Sequence, residues 1–215
     1  MAKSKATKTL GAEIASKLLD IEAIRLDVED PFIWSSGWKS PIYCDNRLAL
    51  SYPKIRALIK TELAKAIKSQ YTNVEAIAGV ATAGIPQGAL VADELGLPFL
   101  YVRSKPKGHG MENMIEGKIT PCQRVVIIED LVSTGGSSLK AAEALKNAGF
   151  EVMGMAAIFT YGFDLAQENF EKAGIPLFSL SNYNYLLEEA LHRQSIAQDQ
   201  LKKLQQWRED PANWG

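Results

Sequence analysis

Two adjacent carboxylates, Glu129 and Asp130, follow four β-branched residues and precede a loop of small residues. A carboxylate accepts two hydrogen bonds side by side, so this carboxylate pair suits the vicinal hydroxyls of a sugar. The loop at residues 133–137, here called the phosphate loop, has two glycines and hydroxylated side chains before a predicted helix. Backbone amides at such a helix start bind phosphate. The pattern predicts a sugar monophosphate site, and a helix-capping loop beside two incidental acids is the alternative.

A second turn of small residues, at 81–86, follows an apolar run at 74–80 and opens another predicted helix. Its backbone amides, including those of Thr82 and Ala83, can hold a second anion. The alternative is an ordinary strand-to-helix turn, because small residues are common at that position.

A third segment, the lid segment at 103–117, is long, contains three glycines and begins with cations. Loops of this length in compact domains are usually functional lids or disordered segments. Arg103, Lys107 and His109 can neutralise an anionic leaving group. A solvated basic loop is equally consistent with these charges.

Alternating strands and helices must position these three segments. Strands are predicted at 74–80, 98–102, 125–128, 152–160 and 177–180, and helices at 10–19, 53–67, 86–95, 139–148, 164–173 and 197–207. The alternation predicts an α/β fold with an open, mainly parallel sheet flanked by helices. Ligands of such sheets bind beyond the carboxyl ends of the strands, so we expect the chemistry just after residues 80, 102, 128 and 160. A glycine turn within residues 32–45 predicts a hairpin before this core, and the helix at 197–207 is interpreted as a packing helix.

Composition limits the classes of function. The 215 residues include 24 Lys and Arg against 25 Asp and Glu, a balance that disfavours nucleic acid or anionic membrane as a partner. The two cysteines have neither the number nor the spacing of a disulfide framework or zinc site, and His192 has no companion at metal-ligand spacing. No apolar stretch approaches the ~18 residues of a membrane span. We therefore expect a cytoplasmic protein with a single domain over residues 1–215.

Residues 125–137, which read VVIIEDLVSTGGS, resemble the 13-residue motif of the type I phosphoribosyltransferases. The resemblance implies that the carboxylate pair binds the ribose hydroxyls of phosphoribosyl pyrophosphate (PRPP) and that the phosphate loop wraps its 5-phosphate. It implies Mg²⁺ as cofactor, held by PRPP and water near Asp130 rather than by a direct protein cage. The residues assigned to PRPP in this way are Thr82, Ala83, Arg103, Lys107, His109, Glu129, Asp130, Leu131, Val132, Ser133, Thr134, Gly135, Gly136 and Ser137. Those assigned a catalytic role are Arg103, Lys107, His109 and Asp130.

Two further segments resemble the orotate phosphoribosyltransferase branch of this family. The start of the lid segment, RSKPKGHG, resembles its mobile catalytic loop, and residues 34–47, the hood segment, resemble its small N-terminal hood over the base pocket. The resemblance implies Mg-dependent transfer of the 5-phosphoribosyl group from PRPP to orotate in pyrimidine biosynthesis. It also implies a homodimer whose lid residues reach the neighbouring site. Within the chain, about 10–70 would form the N-terminal helices and hood, 74–181 the core and 182–215 the C-terminal helices.

Contacts to orotate are assigned to Ser133 and Arg47 on the same resemblance. Two positions depart from some members, which carry a lysine where this chain has Ser35 and an arginine where it has Tyr161 or Gly162. Two other functions compete with this one. One is a phosphoribosyltransferase for another base, such as a purine, against which the hood and lid segments argue. The other is a PRPP-sensing regulator without activity, which would need a basic nucleic-acid face.

Overall fold

The computed structural model describes residues 9–34, 37–105 and 114–214. Its strands are β1 (Ile24–Leu26), β2 (Phe32–Ile33), β3 (Lys39–Ser40), β4 (Ile42–Cys44), β5 (Ala76–Val80), β6 (Phe99–Val102), β7 (Ile115–Glu116), β8 (Arg124–Val132), β9 (Glu151–Thr160) and β10 (Leu177–Asn182). Its helices are α1 (Leu10–Asp20), α2 (Pro53–Gln70), α3 (Gly84–Leu95), α4 (Gly136–Asn147), α5 (Asp164–Ala173), α6 (Tyr183–His192) and α7 (Gln198–Glu209), with a 3₁₀ helix at Asn46–Ser51.

A six-stranded sheet in the order β10-β9-β8-β5-β6-β7 forms the centre of the molecule. Its first five strands are parallel, and β7 runs antiparallel to β6 at the edge. All of β5 and most of β8 are buried, as expected of parallel strands covered on both faces. The predicted α/β class is confirmed. The parallel strands therefore end along one edge, where the connecting turns meet.

The start of helix α3 packs closely against the backbone of β8 at Ile128 and Glu129. A Cβ atom added to Gly84 would lie 2.5 Å from the carbonyl oxygen of Ile128 and 3.5 Å from the Cα of Glu129. Only glycine permits this approach, because a side chain would overlap the neighbouring backbone. The turn at 81–86 is consequently packed against the strand that carries the carboxylate pair.

The strand predicted to end at residue 128 is longer than expected. β8 continues to Val132, which pairs with Thr160 of β9. Glu129 and Asp130 therefore lie within the strand, and the predicted strand end at residue 128 was wrong. The sequence did not reveal this because acidic residues are depleted in strands, whereas here the pairing with β9 fixes the backbone.

Residues 32–45 form two separate pairings instead of one continuous hairpin. β2 and β3 form the predicted hairpin, with Phe32 opposite Ser40. The following run, β4, pairs instead with β1, a strand that was not predicted. The hood segment is thus fixed on one side by its own turn and on the other by residues just after α1.

The C-terminal helices pack against the rest of the molecule. Leu204 and Trp207 of α7 are fully buried, which confirms the interpretation of α7 as a packing helix. His192 is exposed, as expected. None of the helices within the described ranges has the length and apolarity needed to cross a bilayer.

Arg193, directly after α6, connects α6 to α1 through hydrogen bonds. Its Nε donates to Glu189 Oε1 at 2.7 Å, its Nη1 to Asp20 Oδ1 at 2.8 Å and its Nη2 to the Ser16 carbonyl at 2.9 Å. Because the Glu189 side chain is only 5% exposed, Arg193→Ala removes the cation that faces a buried carboxylate. We expect the free energy of unfolding to fall by about 3 kcal/mol in urea titration.

The control is Lys172→Ala, which removes an exposed ion pair with Glu168 on α5. Exposed pairs of this kind contribute less than about 1 kcal/mol. Equal losses of stability in the two variants would contradict the role assigned to Arg193.

Candidate active site at the carboxyl ends of the strands

In the carboxylate pair Glu129 is buried and Asp130 is partly buried, and the two residues are hydrogen-bonded to each other. Glu129 is 5% exposed, its Oε2 accepts from the Ser138 hydroxyl at 2.9 Å, and its Oε1 accepts from the Asp130 amide at 3.1 Å. Burial raises the pKa of Glu129 well above its usual range, and the neighbouring Asp130 charge raises it further. Burial also raises the pKa of Asp130. Because hydrogen bonds to a carboxylate favour its charged form, ligand hydroxyls at this pair would stabilise it in the ionised state.

Asn46 joins the hood segment to the carboxylate pair. It is 1% exposed, and its Nδ2 donates to the backbone carbonyl of Asp130 at 2.8 Å. Its Oδ1 accepts a weak hydrogen bond from the Cys44 thiol at 3.5 Å. Asn46 was not among the residues predicted to form the site. The only feature of the sequence that points to Asn46 is its position, as a polar residue at the end of an apolar-aromatic run. That feature does not identify Asp130, 84 residues away, as its hydrogen-bond partner.

The phosphate loop is shaped by contacts with α5. Gly135 has φ +81°, and a Cβ there would lie 2.8 Å from the Phe170 ring. The side-chain amide of Asn169 donates to the Thr134 carbonyl at 3.1 Å. The loop leads directly into α4, whose first amides have no partner within the helix and point out of its N-terminus. The loop therefore has the form predicted for an anion site, with Gly136 and Ser137 exposed.

The turn at 81–86 follows the neighbouring strand β5 and packs against Ile128 and Glu129 of β8. Thr82 is exposed, and Ala83 caps α3. Together with the contact between Gly84 and Ile128, this places one small-residue turn on each of two adjacent strands, β5 and β8, with Glu129 close to both. A ligand with anionic groups at both ends could span them.

The lid segment begins and ends at the edge of the sheet. The amide of Arg103 donates to the Met114 carbonyl at 2.8 Å, and its Nη1 contacts Glu116 Oε1 at 3.0 Å. β7, a strand that was not predicted, contains Glu116 and pairs with β6. Lys107 and His109, two of the predicted catalytic residues, lie outside the described residues.

An aromatic cavity of about 560 Å³ adjoins the phosphate loop. Its size falls in the range of small-molecule sites. It is lined by Ile33, Trp34, Trp38, Tyr43, Cys44, Leu131, Ser133, Thr134 and Tyr161. Ser133 and Thr134 also belong to the phosphate loop, so the two are continuous. The structure thus brings a surface for a flat ring next to the predicted sugar phosphate site, while Val132 lies in the core below.

No cation is among the residues that line the aromatic cavity within the described part of the chain. Arg47 is exposed and donates from Nε to Asp45 Oδ1 at 2.7 Å, which gives its proposed contact with orotate no support. Tyr161 is buried at the cavity wall, and burial raises the pKa of its hydroxyl well above the usual value. Tyr161 therefore remains a neutral hydrogen-bond donor.

The carboxylate pair can help to bind Mg²⁺ only if a bound ligand supplies most of the oxygen atoms that coordinate the ion. No cluster of three or more His, Cys, Asp or Glu side chains among the described residues could hold a metal. Mg²⁺ is commonly bound by one or two carboxylates together with substrate phosphates and water. The carboxylate pair can serve such an ion, with Asp130 as the less buried member.

Ser138 offers a test of the carboxylate geometry. Ser138→Ala removes the hydroxyl that stabilises ionised Glu129, so the pKa of Glu129 should rise further. If the pair binds a sugar, we expect kcat/KM for the sugar substrate to fall about tenfold, the value of one hydrogen bond to a charged group. The acid-side decline of the pH profile should also move to higher pH. Ser195→Ala, at an exposed site before α7, is the control, and an unchanged profile in Ser138→Ala would contradict this assignment.

Comparisons with known proteins identify the family of this chain. A sequence profile of the phosphoribosyl transferase domain matches residues 50–176. An orotate phosphoribosyltransferase of Porphyromonas gingivalis is 59% identical over 208 residues, which cover 97% of this chain and 99% of the relative. One of Cytophaga hutchinsonii is 59% identical over 202 residues, 94% of this chain and 97% of the relative.

Solved structures give the same result. Orotate phosphoribosyltransferase from Aeropyrum pernix superposes with a TM-score of 0.74 at 30% identity, covering 83% of this chain and 98% of that one. The Mycobacterium tuberculosis orotate phosphoribosyltransferase in complex with PRPP gives a TM-score of 0.65 at 26% identity, covering 83% and 99% of the two chains. The hood segment and helices α6 and α7 lie outside the matched profile.

Proposed function

This chain belongs to the orotate phosphoribosyltransferases, and we propose that it transfers the 5-phosphoribosyl group of PRPP to orotate at the strand edge described above. The products are orotidine 5-monophosphate and pyrophosphate, within pyrimidine biosynthesis. The observation that carries the proposal is the continuity of the aromatic cavity with the phosphate loop through Ser133 and Thr134. A base bound in that cavity lies beside a sugar whose phosphate occupies the loop.

PRPP binds with its ribose hydroxyls on the carboxylate pair. Its 5-phosphate occupies the phosphate loop, and its diphosphate lies at the turn containing Thr82 and Ala83. The support for this placement is that Gly84 packs against Ile128 and Glu129 of β8, while the phosphate loop directly follows β8, so the two predicted anion sites lie on either side of the pair. Orotate lies in the aromatic cavity, where Ser133 and the neutral hydroxyl of Tyr161 can donate to it.

The reaction requires electrostatic stabilisation more than proton transfer. As the bond from C1 of the ribose to the diphosphate breaks, positive charge develops on the sugar and negative charge on the leaving group. Arg103, Lys107 and His109 are assigned to neutralise the charge of the leaving group, and the carboxylate pair is assigned to hold the ribose in place. Asp130 would lie near an Mg²⁺ ion held mainly by PRPP and water, and such an ion would supply positive charge against the departing diphosphate. Orotate is already an anion and its ring N–H is ionisable, so the attacking nitrogen can release its proton to solvent as the bond to C1 forms and needs no strong protein base.

We further propose a cytoplasmic homodimer of single-domain subunits in which each lid segment serves the neighbouring site. The support is the resemblance of residues 103–110 to a loop that acts between subunits, and the anchoring of the lid segment at the edge strands β6 and β7. Cys44 and Cys122 are both free thiols, as is typical of proteins in reducing compartments.

The proposal is tested by mixing the protein with PRPP, Mg²⁺ and orotate while orotate absorbance and pyrophosphate release are followed. We expect one pyrophosphate for each orotate consumed and no consumption of adenine or hypoxanthine. Consumption of a purine in place of orotate would overturn the choice of base. Salt-sensitive binding of nucleic acid without turnover would favour the regulator instead.

A further inference from the structure

Trp207 lies at the centre of an aromatic cluster built from three distant parts of the chain. It is 0% exposed on α7. Its ring centroid lies 5.4–5.7 Å from those of four other aromatic residues, which are Trp34, Tyr161, Phe163 and Tyr183. Trp207 and Trp34 both lie outside the matched family profile, whereas Tyr161 and Phe163 lie within it.

Two of these rings are walls of the aromatic cavity. Trp207 meets Trp34 at 5.5 Å with an interplanar angle of 80°, and Tyr161 at 5.7 Å with an angle of 86°. Such edge-to-face contacts are favourable and fix the orientation of both rings. Trp34 and Tyr161 are themselves 5.1 Å apart. The Trp207 indole therefore contacts two side chains that line the cavity: Trp34 of the hood segment and Tyr161, the residue directly after β9.

A hydrogen bond adds a second connection to the N-terminal segment. The indole Nε1 of Trp207 donates to the carbonyl of Lys39 in β3 at 3.3 Å. The Trp34 indole donates to the Ile42 carbonyl at 3.0 Å. Both indoles are thus tied to the backbone on either side of Pro41.

We infer that Trp207 is a positioning residue for the base: it sets the placement of Trp34 and Tyr161 and thereby the affinity of the aromatic cavity for the pyrimidine ring. The inference rests on the proposed function, because it takes the cavity to be the orotate site. Packed interiors leave few voids, so loss of the indole lets the two wall rings shift into the space it filled. The PRPP contacts should not move with them, because the phosphate loop is held by Asn169 and the turn at 81–86 by the backbone of β8.

A purely structural role would give a different result, and Leu204 provides the matched control. Leu204 lies one turn before Trp207 on α7 and is equally buried, but it has no ring to support the cavity walls. The experiment compares Trp207→Leu, Trp207→Phe and Leu204→Ala with the unchanged chain. For each protein, KM for orotate, KM for PRPP and the melting temperature are measured.

We expect Trp207→Leu to raise KM for orotate at least tenfold and to change KM for PRPP less than twofold. Trp207→Phe, which keeps a ring, should raise KM for orotate only two- to fivefold. Leu204→Ala should lower the melting temperature with less than a twofold change in either KM. An equal rise in orotate KM in Leu204→Ala, or an unchanged orotate KM in folded Trp207 variants, would overturn the inference.

If Trp207→Leu does not fold, Trp207→Phe decides the question, since a selective rise of twofold or more supports the inference and its absence contradicts it. Failure of the unchanged chain to consume orotate would instead be a failure of the proposed function.

Discussion

Asp130→Asn is expected to lower kcat/KM for PRPP at least 100-fold while leaving the protein folded. A hydrogen bond to a charged group contributes about 1.5–3 kcal/mol, and Asp130 is proposed to hold ribose hydroxyls through such bonds. Loss of two such hydrogen bonds corresponds to a fall in kcat/KM by a factor of about 100 or more, since each tenfold change is worth ~1.4 kcal/mol. Asparagine keeps the shape of the side chain, and the Asp130 carbonyl that accepts from Asn46 is backbone.

Stability provides the internal check on Asp130→Asn. The pKa of Asp130 is raised in the folded protein, so folding disfavours its charged form and the carboxylate lowers stability at neutral pH. The neutral amide should therefore leave the melting temperature unchanged or raise it. Asp199→Asn, at an exposed site on α7, is the control for loss of one charge. If kcat/KM in Asp130→Asn stays within threefold of the unchanged chain, the carboxylate does not hold the ribose.

Lys107→Ala is expected to lower kcat at least 100-fold, because it removes a positive charge proposed to face the departing diphosphate. Removal of one preorganised group of this kind typically costs a factor of about 10²–10³. If the lid segment serves the neighbouring subunit, the loss can be reversed without restoring Lys107. A subunit with an intact lid and a defective carboxylate pair can supply the lysine.

Mixing Lys107→Ala subunits with Asp130→Asn subunits tests this directly. About half of randomly formed dimers are heterodimers, and each contains one complete site, so we expect about a quarter of the original activity. The matched control mixes Asp130→Asn with Glu129→Gln, where every site carries a defect on its own β8 and no activity should return. Confirmed heterodimers of the first pair without recovered activity would contradict a shared site.

Much of the architecture could be predicted because local patterns determine it. Apolar runs that alternate with segments of helical period predicted the parallel sheet. Gly96, with φ +66°, ends α3 directly after the helix predicted at 86–95. The predicted strand bounds and pairings were wrong where a strand distant in sequence determines the local backbone. β8 extends through Glu129 and Asp130 because β9 pairs with it as far as Thr160. Similarly, Ile42 pairs with Leu26 of β1 instead of continuing the hairpin.

In the candidate site, too, local features could be predicted from the sequence and long-range contacts could not. The phosphate loop and the carboxylate pair are contiguous in sequence, so their residue types reveal their chemistry. The contacts that hold them are not contiguous, and no local pattern identifies them. Asn46 bonds to a residue 84 positions away, and Trp207 bonds to one 168 positions away. These long-range contacts connect the hood segment and the C-terminal helix to the core, and the sequence alone gave no reason to pair them.

A crystal structure of the protein with orotidine 5-monophosphate would show whether the aromatic cavity and the phosphate loop form one site, because that product joins the base to the sugar phosphate. We predict the pyrimidine ring in the aromatic cavity against Trp34 and Tyr161, the ribose hydroxyls on Glu129 and Asp130, and the phosphate on residues 133–137. A pyrimidine outside this cavity, or a phosphate bound away from that loop, would contradict the claim that the cavity and the loop form one site.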